Sequence, residues 1–383
     1  MINSYYNPVK TMESAGVFLQ LPEVIKSMGS EKTRVLVIAW CEDVFAHEVF
    51  QKMGDYSVKK LVFTESNPTV EQLFQVYLET KEFSPEVVVA VGGGSIMDVA
   101  KSLCCMYEKE IADEDELRIL IQEKKFGPPA VRWIGVPTTA GTGSEVTCWA
   151  TIWDPKKDAK RSLENHDNYA YAALVDSDLT KNIPLKLAVS SALDAAAHAV
   201  ESYWAKGTNL VSRAMALQAV STIMENMGEL LSGKAEAHEA MAQGSMLAGM
   251  AFSNTKTTAC HSISYPLTMH YGIPHGVAVS MLLAPVLKMN APVVDGMEEL
   301  FHALHIKDAE TLRKYIGYCL KQSGHPNSLK EWGVKREELS HLAELGMTKG
   351  RADNNPVELT QEKVLGILES IYEEANEAYR SAI

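Results

Sequence analysis

The first half of the chain alternates short β-branched runs with segments of helical period, and this alternation restricts the possible folds more than any other feature. Four runs that end in turn residues are typical of buried strands: RVLVIAW (34–40), KLVF (60–63), EVVVAVGGG (86–94) and VRWIGVPTT (131–139). Helical segments lie between them, among them VEQLFQVYLETKEF (70–83) and SIMDVAKSLCCMYE (95–108). We therefore predict a parallel sheet with helices on both faces.

The later sequence changes character. ATIWD (150–154) and AKRSL (159–163) predict a small hairpin, and AALVDSDL (172–179) predicts a last strand. After Pro184 the chain is rich in Ala, Met and Leu with a period of 3.6 residues, and strand-like segments disappear. Because 383 residues exceed one ordinary core, two domains are expected. The boundary is expected near residue 184, with an α/β domain over 1–184 and an all-α domain over 185–383.

The composition limits the partners and the compartment. A formal net charge of −13, with no run of Lys or Arg, argues against nucleic acid as the main partner. The N-terminal segment lacks the apolar core of a signal peptide, and no stretch approaches the about 18 apolar residues of a membrane span. The six cysteines show no CxxC spacing, so we expect reduced thiols in a cytoplasmic protein.

Two loops rich in Gly, Ser and Thr follow successive predicted strands. In the first, Gly92-Gly93-Gly94-Ser95 opens a helix, where the backbone can approach a diphosphate and the helix amides favour its charge. A tight turn without a ligand would explain a single glycine triplet equally well, and neither GxGxxG nor the P-loop pattern is present. The second loop is PTTAGTGSE (137–145). Since ligands of parallel sheets bind at the carboxyl ends of strands, the two loops together favour a phosphate-bearing cofactor.

One aspartate and three histidines have a spacing that fits a metal site. Asp194 and His198 stand four residues apart in the helical segment LDAAAHAVE and share one face, with Glu201 near that face. Such a pair can bind one cation, although a hydrogen-bonded core pair has the same spacing. His261, on a later helix, and His275, at a Pro-His-Gly turn, complete three imidazoles and one carboxylate. This set suits Fe²⁺ or Zn²⁺ with one position open for a substrate oxygen.

Five motifs resemble those of the iron-containing (group III) alcohol dehydrogenase family: GGGSIMDVAK, PTTAGTGSE, DAAAHAVE, GMAFSN and IPHG. They stand in that family's order, and the similarity runs essentially from Asn7 to the C-terminus. The resemblance implies a Rossmann-like α/β domain followed by an all-α domain that binds a divalent metal, an architecture shared with dehydroquinate synthase. It also implies a homo-oligomer, namely a dimer.

Carried over position by position, the resemblance assigns roles to individual residues. The implied metal ligands are Asp194, His198, His261 and His275. The implied dinucleotide contacts are Asn67, Gly93, Gly94, Ser95, Thr138, Thr139, Thr147, Lys160 and Leu179. Asp98 falls where the family places a polar residue near the active site. His270 is not among the ligands, and we expect it to end a helix or to face the active site.

Two positions depart from the family's pattern. Many members have a second histidine four residues after the ligand at His261, where this chain has Tyr265. A phenol can still donate a hydrogen bond or relay a proton, so Tyr265 is the catalytic candidate. Many NAD-preferring members end their first strand in an aspartate that repels a 2′-phosphate, whereas this chain has Trp40. Both NAD and NADP therefore stay open as the cofactor.

The resemblance implies hydride transfer between a nicotinamide and an aldehyde or primary alcohol, with the metal as a Lewis acid. KTTACHSISYPLT (256–268) further resembles the branch that reduces phosphonoacetaldehyde to 2-hydroxyethylphosphonate, a step of phosphonate metabolism. Lys256 and Arg161 are two cations that could hold the phosphonate. Both could equally be solvated surface charges, so a reductase of small unsubstituted aldehydes stays open. A dehydroquinate synthase-like lyase, which consumes no net NADH, fits the PTTAGTGSE and PHG contexts poorly.

Overall fold

The computed structural model describes residues 4–29, 33–157, 159–347 and 350–373. The chain divides into two units. An α/β unit contains Asn7–Thr139 and Gly143–Thr180, and a helical unit contains Ala140–Thr142 and the chain from Lys181 onward, together with the residues up to Tyr6. A short piece of the second glycine-rich loop therefore belongs to the helical unit rather than to the sheet.

The α/β unit is built on a six-stranded parallel sheet. The strands of the unit are β1 (Lys10–Glu13), β2 (Arg34–Ala39), β3 (Ser57–Val62), β4 (Val87–Gly92), β5 (Arg132–Pro137), β6 (Trp149–Asp154), β7 (Ala159–Glu164) and β8 (Ala172–Val175). The sheet has the order β1-β8-β5-β4-β2-β3, and β6 and β7 form a separate antiparallel hairpin. The inner strand β4 is buried along its whole length, because helices cover both faces of a parallel sheet.

Four helices accompany the sheet: α1 (Leu21–Ser27), α2 (Val70–Thr80), α3 (Gly94–Met106) and α4 (Glu114–Gln122). Helix α2 begins at a capping box, in which Thr69 and Gln72 satisfy each other's backbone amides. The parallel sheet expected from the alternating sequence is confirmed. The periodicity gave no signal for β1, which has only four residues and no apolar run, or for α4.

The last strand of the sheet is shorter than predicted. It ends at Val175 because the side chain of Asp176 accepts hydrogen bonds from the amides of Gly16, Phe18 and Asp178. The chain then turns into a short 3₁₀ segment, Ser177–Leu179, instead of continuing as a strand. The carboxylate of Asp176, directly after the apolar run, therefore ends the strand four residues before the predicted end at 179.

The helical unit contains nine α-helices and no strand among its described residues. They are α5 (Leu185–Trp204), α6 (Leu210–Leu231), α7 (Ala237–Thr255), α8 (Ala259–Tyr271), α9 (His275–Asn290), α10 (Met297–Ala303), α11 (Ala309–Gln322), α12 (Leu339–Leu345) and α13 (Gln361–Ser370). Helix α5 packs against α6, α7 and α9, and its many alanines allow these neighbours to approach closely. The segment 275–293, which contains α9, is long and apolar enough for a membrane span, but most of it is buried inside the unit, as in a core helix.

Helix α9 lies close against α5 at Gly276. A Cβ atom added to Gly276 would overlap the carbonyl oxygen of Ser190 and lie 3.1 Å from the Cβ atom of Asp194. Backbone atoms such as this carbonyl cannot move aside as the end of a flexible side chain can. The glycine of the IPHG motif therefore allows the start of α9, with His275, to lie against the middle of α5.

We predict that Gly276→Ala destabilises the helical unit by about 1–3 kcal/mol, because the added methyl group overpacks this contact. Gly366→Ala is the matched control: Gly366 lies in α13 with no atom within 4 Å of an added Cβ. That change should leave stability equal or raise it by up to about 1 kcal/mol. Thermal unfolding of the metal-free variants, followed by circular dichroism, measures the difference. Equal midpoints for both variants would contradict the close approach.

Candidate active site

Three side chains of the helical unit converge on one point. Asp194 from α5, His261 from the first turn of α8 and His275 from the start of α9 each place a ligand atom within 4.8 Å of the other two. A carboxylate oxygen of Asp194 and Nε2 of His261 are 3.5 Å apart, too far for a good hydrogen bond, and both atoms are buried without a partner. Buried polar atoms left unpaired in this way fit a bound divalent cation, for which carboxylate and imidazole are suitable ligands.

His198 lies beside this group of three. It follows Asp194 by one turn of α5, and its ring stacks on that of His261 with centroids 4.3 Å apart. Its Nδ1 lies 3.3 Å from the carbonyl oxygen of Gly141 and 4.0 Å from a carboxylate oxygen of Asp194. If Nδ1–H donates to that carbonyl, Nε2 keeps its lone pair for a metal. The role of His198 as a fourth ligand stays a prediction.

Burial and neighbouring charge set the protonation of these groups. Burial opposes the charge of Asp194, but His198 and the other two imidazoles outweigh it and hold the pKa of Asp194 below its usual range. Burial lowers the pKa of His198 to about 4. Burial also opposes a charge on His261, yet Glu201 and Asp194 outweigh it and raise the pKa of His261. A charged Asp194 and a neutral His198 are the forms in which these side chains bind metals.

Glu201 is the residue of this site that the sequence located only approximately. Its carboxylate is fully buried and hydrogen-bonded to Nδ1 of His261, on the opposite side of that ring from the unpaired Nε2. The sequence signal was its position seven residues after Asp194, which placed it near the ligand face of the helix. Spacing alone did not show that it contacts a ligand ring rather than the metal position.

Tyr265 lies one turn after His261 on α8. Its ring is nearly parallel to that of His275, with an angle of 8° and centroids 5.9 Å apart. The guanidinium of Arg351 lies 5.1 Å from the centre of the same tyrosine ring. Burial raises the pKa of Tyr265 to about 12, so the phenol keeps its proton at neutral pH. His270 is exposed in the last turn of α8 and is not part of the group.

In the α/β unit, the two glycine-rich loops lie side by side at the carboxyl ends of β4 and β5. The amide of Thr138 donates to the carbonyl of Gly92 at 3.1 Å, and a Cβ atom at Gly93 would lie 3.2 Å from Oγ1 of Thr139. The 13-residue helix α3 starts directly after this point, at Gly94. Helix amides and close backbone approach are what a dinucleotide diphosphate requires.

Asn67 joins the same loops. Its backbone is left-handed, with a φ of 56°, and its amide donates to Oγ of Ser95 at 3.1 Å. Leu179, by contrast, packs against the apolar core of the sheet as a half-buried side chain. The structure therefore brings Asn67 and Ser95 together with the glycine and threonine loops, while the dinucleotide contacts themselves stay predictions.

Lys101 organises the second loop, and the sequence did not single it out. Its fully buried ammonium donates to Oγ of Ser144 at 2.8 Å, Oγ1 of Thr147 at 3.0 Å and the carbonyl of Trp149 at 3.0 Å. Burial lowers the pKa of Lys101 to about 8. The available signal was a lysine three residues after Asp98 on an otherwise apolar helix. The Lys101 ammonium thus holds Thr147, which is one of its three acceptors, in a fixed position.

Asp98 and Lys160 lie near this ammonium. Oγ of Ser144 donates to the Asp98 carboxylate at 3.3 Å, and burial raises the pKa of Asp98 to about 6. Lys160, on β7, places its Nζ 5.3 Å from the centre of the Trp153 ring, and its charge favours the ionised form of Asp98. Their predicted roles near the active site and at the cofactor stay predictions.

The two cations predicted to hold the substrate have different environments. Arg161 is paired with the fully buried carboxylate of Asp154 at 2.7 Å, and Arg118 contacts the same carboxylate at 3.1 Å. Lys256 is exposed at the end of α7, within the helical unit that contains the histidine cluster. The Arg161 side chain therefore already neutralises a carboxylate of its own unit, and its role in substrate binding stays a prediction.

Two protein-family models match the chain. One is described as iron-containing alcohol dehydrogenase and matches residues 8–177, and the other is the C-terminal model of the Fe-containing alcohol dehydrogenase family and matches 188–372. Together these two matches extend over most of both units.

Named relatives agree with these models. A 1,3-propanediol dehydrogenase of Citrobacter freundii is 31% identical over 75% of this chain and 76% of its own length. The NADPH-dependent butanol dehydrogenase of Clostridium saccharobutylicum is 29% identical over 84% and 86%. Among solved structures, the sulfoacetaldehyde reductase of Bifidobacterium kashiwanohense in complex with NAD⁺ superposes with a TM-score of 0.86 at 26% identity, covering 97% of this chain and 99% of that chain.

We predict that His261→Ala removes bound metal and activity, because it deletes one of three converging ligand atoms. His270→Ala is the matched control, since His270 lies on the same helix outside the group. Metal content after reconstitution with Fe²⁺ or Zn²⁺, measured by mass spectrometry, should fall roughly tenfold or more only in the first variant. Loss of metal in His270→Ala with retention in His261→Ala would show that the ligand set is wrong.

We predict that Gly94→Asp raises the dissociation constants of NADH and NADPH at least about tenfold, or about 1.4 kcal/mol, because a carboxylate at the start of α3 repels a diphosphate. Gly54→Asp adds the same charge to an exposed turn of the same unit, where an added Cβ meets no atom within 4 Å. Fluorescence titration compares the two variants. An unchanged dissociation constant in folded Gly94→Asp would place the dinucleotide elsewhere.

Proposed function

Because the chain belongs to the iron-containing alcohol dehydrogenase family, we propose that it reduces phosphonoacetaldehyde to 2-hydroxyethylphosphonate. The family assignment makes it an oxidoreductase of alcohols and aldehydes that uses NAD(P) and a divalent metal. The proposal adds the substrate class, a short aldehyde with an anionic tail. Sulfoacetaldehyde, the substrate named for one structural relative, is such an aldehyde with a sulfonate in place of the phosphonate.

The observation that carries the proposal is the backbone of Lys256. Its φ of 61° and ψ of 177° lie in a region that is essentially restricted to glycine and costs other residues about 1–3 kcal/mol. The side-chain amide of Asn354 donates to the carbonyls of Thr255 at 2.8 Å and Thr257 at 3.0 Å, on either side of the lysine. Lys256 is exposed, whereas both threonines are buried. Strain maintained around an exposed cation is typical of residues at functional sites.

Arg351 supports the same substrate class. Its guanidinium lies over the ring of Tyr265, which itself stacks against His275 of the ligand group. Among the residues that the structure describes, no carboxylate forms an ion pair with Arg351. A phosphonate dianion needs more than one positive charge where water is partly excluded. Lys256 and Arg351 can supply these charges within the helical unit, whereas Arg161 is already paired with Asp154.

The proposed chemistry assigns each side chain a separate task. A bound divalent metal would supply Lewis acidity at the aldehyde oxygen, and a bound nicotinamide would supply the hydride. Asp194, His261 and His275, with His198 as the proposed fourth ligand, hold the metal. Asp194, His198 and His261 are buried, which limits their contact with water and strengthens electrostatic interactions. Tyr265 is the proposed donor of a hydrogen bond or relay of a proton to the product oxygen.

A second candidate is the reduction of small unsubstituted aldehydes. It is favoured by the relatives named for butanol and 1,3-propanediol, whose substrates have no anionic group. Both candidates consume NADH or NADPH in stoichiometric amounts, whereas the lyase reaction considered from the sequence would consume none. The two reductase candidates differ in their dependence on positive charge near the substrate.

We predict that Lys256→Ala raises the KM for phosphonoacetaldehyde at least about tenfold, equivalent to about 1.4 kcal/mol, because the phosphonate loses a counter-charge. The KM for propionaldehyde, which has no anion, should change much less. Lys234→Ala, which removes an exposed lysine paired with Glu229, is the matched control. Oxidation of NADH and NADPH by the enzyme reconstituted with Fe²⁺ or Zn²⁺ provides the measurement.

Two outcomes would contradict this prediction in different ways. Equal losses on both aldehydes would make Lys256 a structural residue at the turn before α8. Efficient reduction of propionaldehyde but not of phosphonoacetaldehyde by the unmodified enzyme would favour the second candidate.

A further inference from the structure

We propose that Glu201 is a positioning residue that fixes the tautomer of His261 and thereby sets the affinity of the metal site. Nothing in the proposed substrate is needed for this inference, which rests only on His261 as a ligand. The observation behind it is a single buried carboxylate that contacts both the ligand ring and the beginning of the helix on which that ring stands.

Four hydrogen bonds join Glu201 to the start of α8 within the described part of the chain. Oε1 accepts from the amide of Thr258 at 3.0 Å, from its hydroxyl at 2.7 Å and from the amide of Cys260 at 2.8 Å. Oε2 is hydrogen-bonded to Nδ1 of His261. The carboxylate is completely buried near the C-terminal end of α5, so these partners are its compensation for the loss of water.

The direction of the last hydrogen bond follows from the chemistry of the two groups. An ionised carboxylate is only an acceptor, so Nδ1 of His261 must be the donor and carry the hydrogen. In a neutral imidazole the hydrogen on one nitrogen leaves the lone pair on the other. Nε2 of His261 is that other nitrogen, and it is the buried atom without a hydrogen-bond partner beside Asp194. Glu201 therefore directs the lone pair of His261 toward the metal position.

The same contact also affects how strongly the ring binds. A carboxylate behind a metal-binding imidazole orients the ring and increases its basicity, and removal of such a partner typically weakens metal binding by about 10–100-fold. Because the carboxylate also binds the first amides of α8, rotation of the ligand ring and placement of its helix depend on one side chain. This dual contact raises a competing explanation, in which Glu201 serves only as a cap for α8.

Glu201→Gln separates the two explanations. The glutamine carbonyl can still accept from the amides of Thr258 and Cys260, so the cap is retained. The glutamine NH₂ group can only donate, and facing Nδ1 it would require His261 to carry its hydrogen on Nε2 instead. That tautomer has no lone pair at the metal position. The substitution thus reverses the tautomer and keeps the shape of the side chain.

Thr258→Val is the matched control. It removes the hydroxyl that donates to Glu201 and accepts from the indole of Trp204, but leaves the Glu201–His261 hydrogen bond in place. If Glu201 acted only as a structural cap, Glu201→Gln, which keeps the two amide contacts, should affect metal binding no more than Thr258→Val does. If it fixes the tautomer, only Glu201→Gln should affect the metal.

The test has two readouts on metal-free protein. Competition with a chromophoric chelator gives the dissociation constant for Zn²⁺, which should rise about 10–100-fold in Glu201→Gln and stay unchanged in Thr258→Val. ¹⁵N spectra of histidine-labelled protein, assigned with His261→Ala and recorded at a pH at which His261 is neutral, should show the hydrogen on Nδ1 in the unmodified protein and on Nε2 in Glu201→Gln.

Several results would overturn the proposal. An unchanged Zn²⁺ affinity in Glu201→Gln, or equal losses in both variants, would reduce Glu201 to a cap. If Glu201→Gln does not fold, the spectrum of the unmodified protein still decides, because a hydrogen on Nε2 of His261 excludes the proposed role. A protein that binds no divalent metal but has the hydrogen on Nδ1 would refute the ligand set while leaving the tautomer assignment standing.

Discussion

Compensation of buried charge determines how the helical unit is arranged around its site. Asp194 and Glu201 lie seven residues apart on α5, and both carboxylates are withdrawn from water. An unpaired carboxylate in such a place costs several kcal/mol, so each needs partners from other helices. The first amides of α8 and the imidazole of His261 are hydrogen-bonded to Glu201. The imidazoles of the three site histidines stabilise the charge of Asp194. The starts of α8 and α9 are consequently bound to one stretch of α5, and Gly276 provides the close approach that this requires.

The α/β unit also contains a buried charge that needs hydrogen-bond partners, but here the charge is positive. The ammonium of Lys101 is buried on α3, and its three donors are satisfied by Ser144, Thr147 and the carbonyl of Trp149. The second glycine-rich loop is thereby held relative to the helix that begins at the first loop. In both units a buried charge holds the segments on which the groups proposed to bind cofactor or metal lie.

The proposed substrate class rests on a different kind of residue. The metal and dinucleotide chemistry belongs to the whole family, whereas the proposed phosphonate substrate additionally requires positive charge. The two cations predicted from the sequence differ in their surroundings: Arg161 is held by the buried carboxylate of Asp154, while Lys256 is exposed on a strained backbone between two carbonyls bound by Asn354. These local contacts identify a candidate residue for substrate binding. The number of residues between a cation and a metal ligand in the sequence does not.

The sequence by itself determined the elements and the local spacings. Strands buried on both faces require continuous apolar runs, so the parallel sheet could be predicted, and the four-residue spacing of Asp194 and His198 placed them on one helical face. Only the tertiary structure decided which distant groups meet: Glu201 with His261, sixty residues later, Lys101 with its three acceptors, and Arg351 with Tyr265. Periodicity reports which face of an element is buried. The partner on that face depends on how whole helices pack, and no local pattern encodes this.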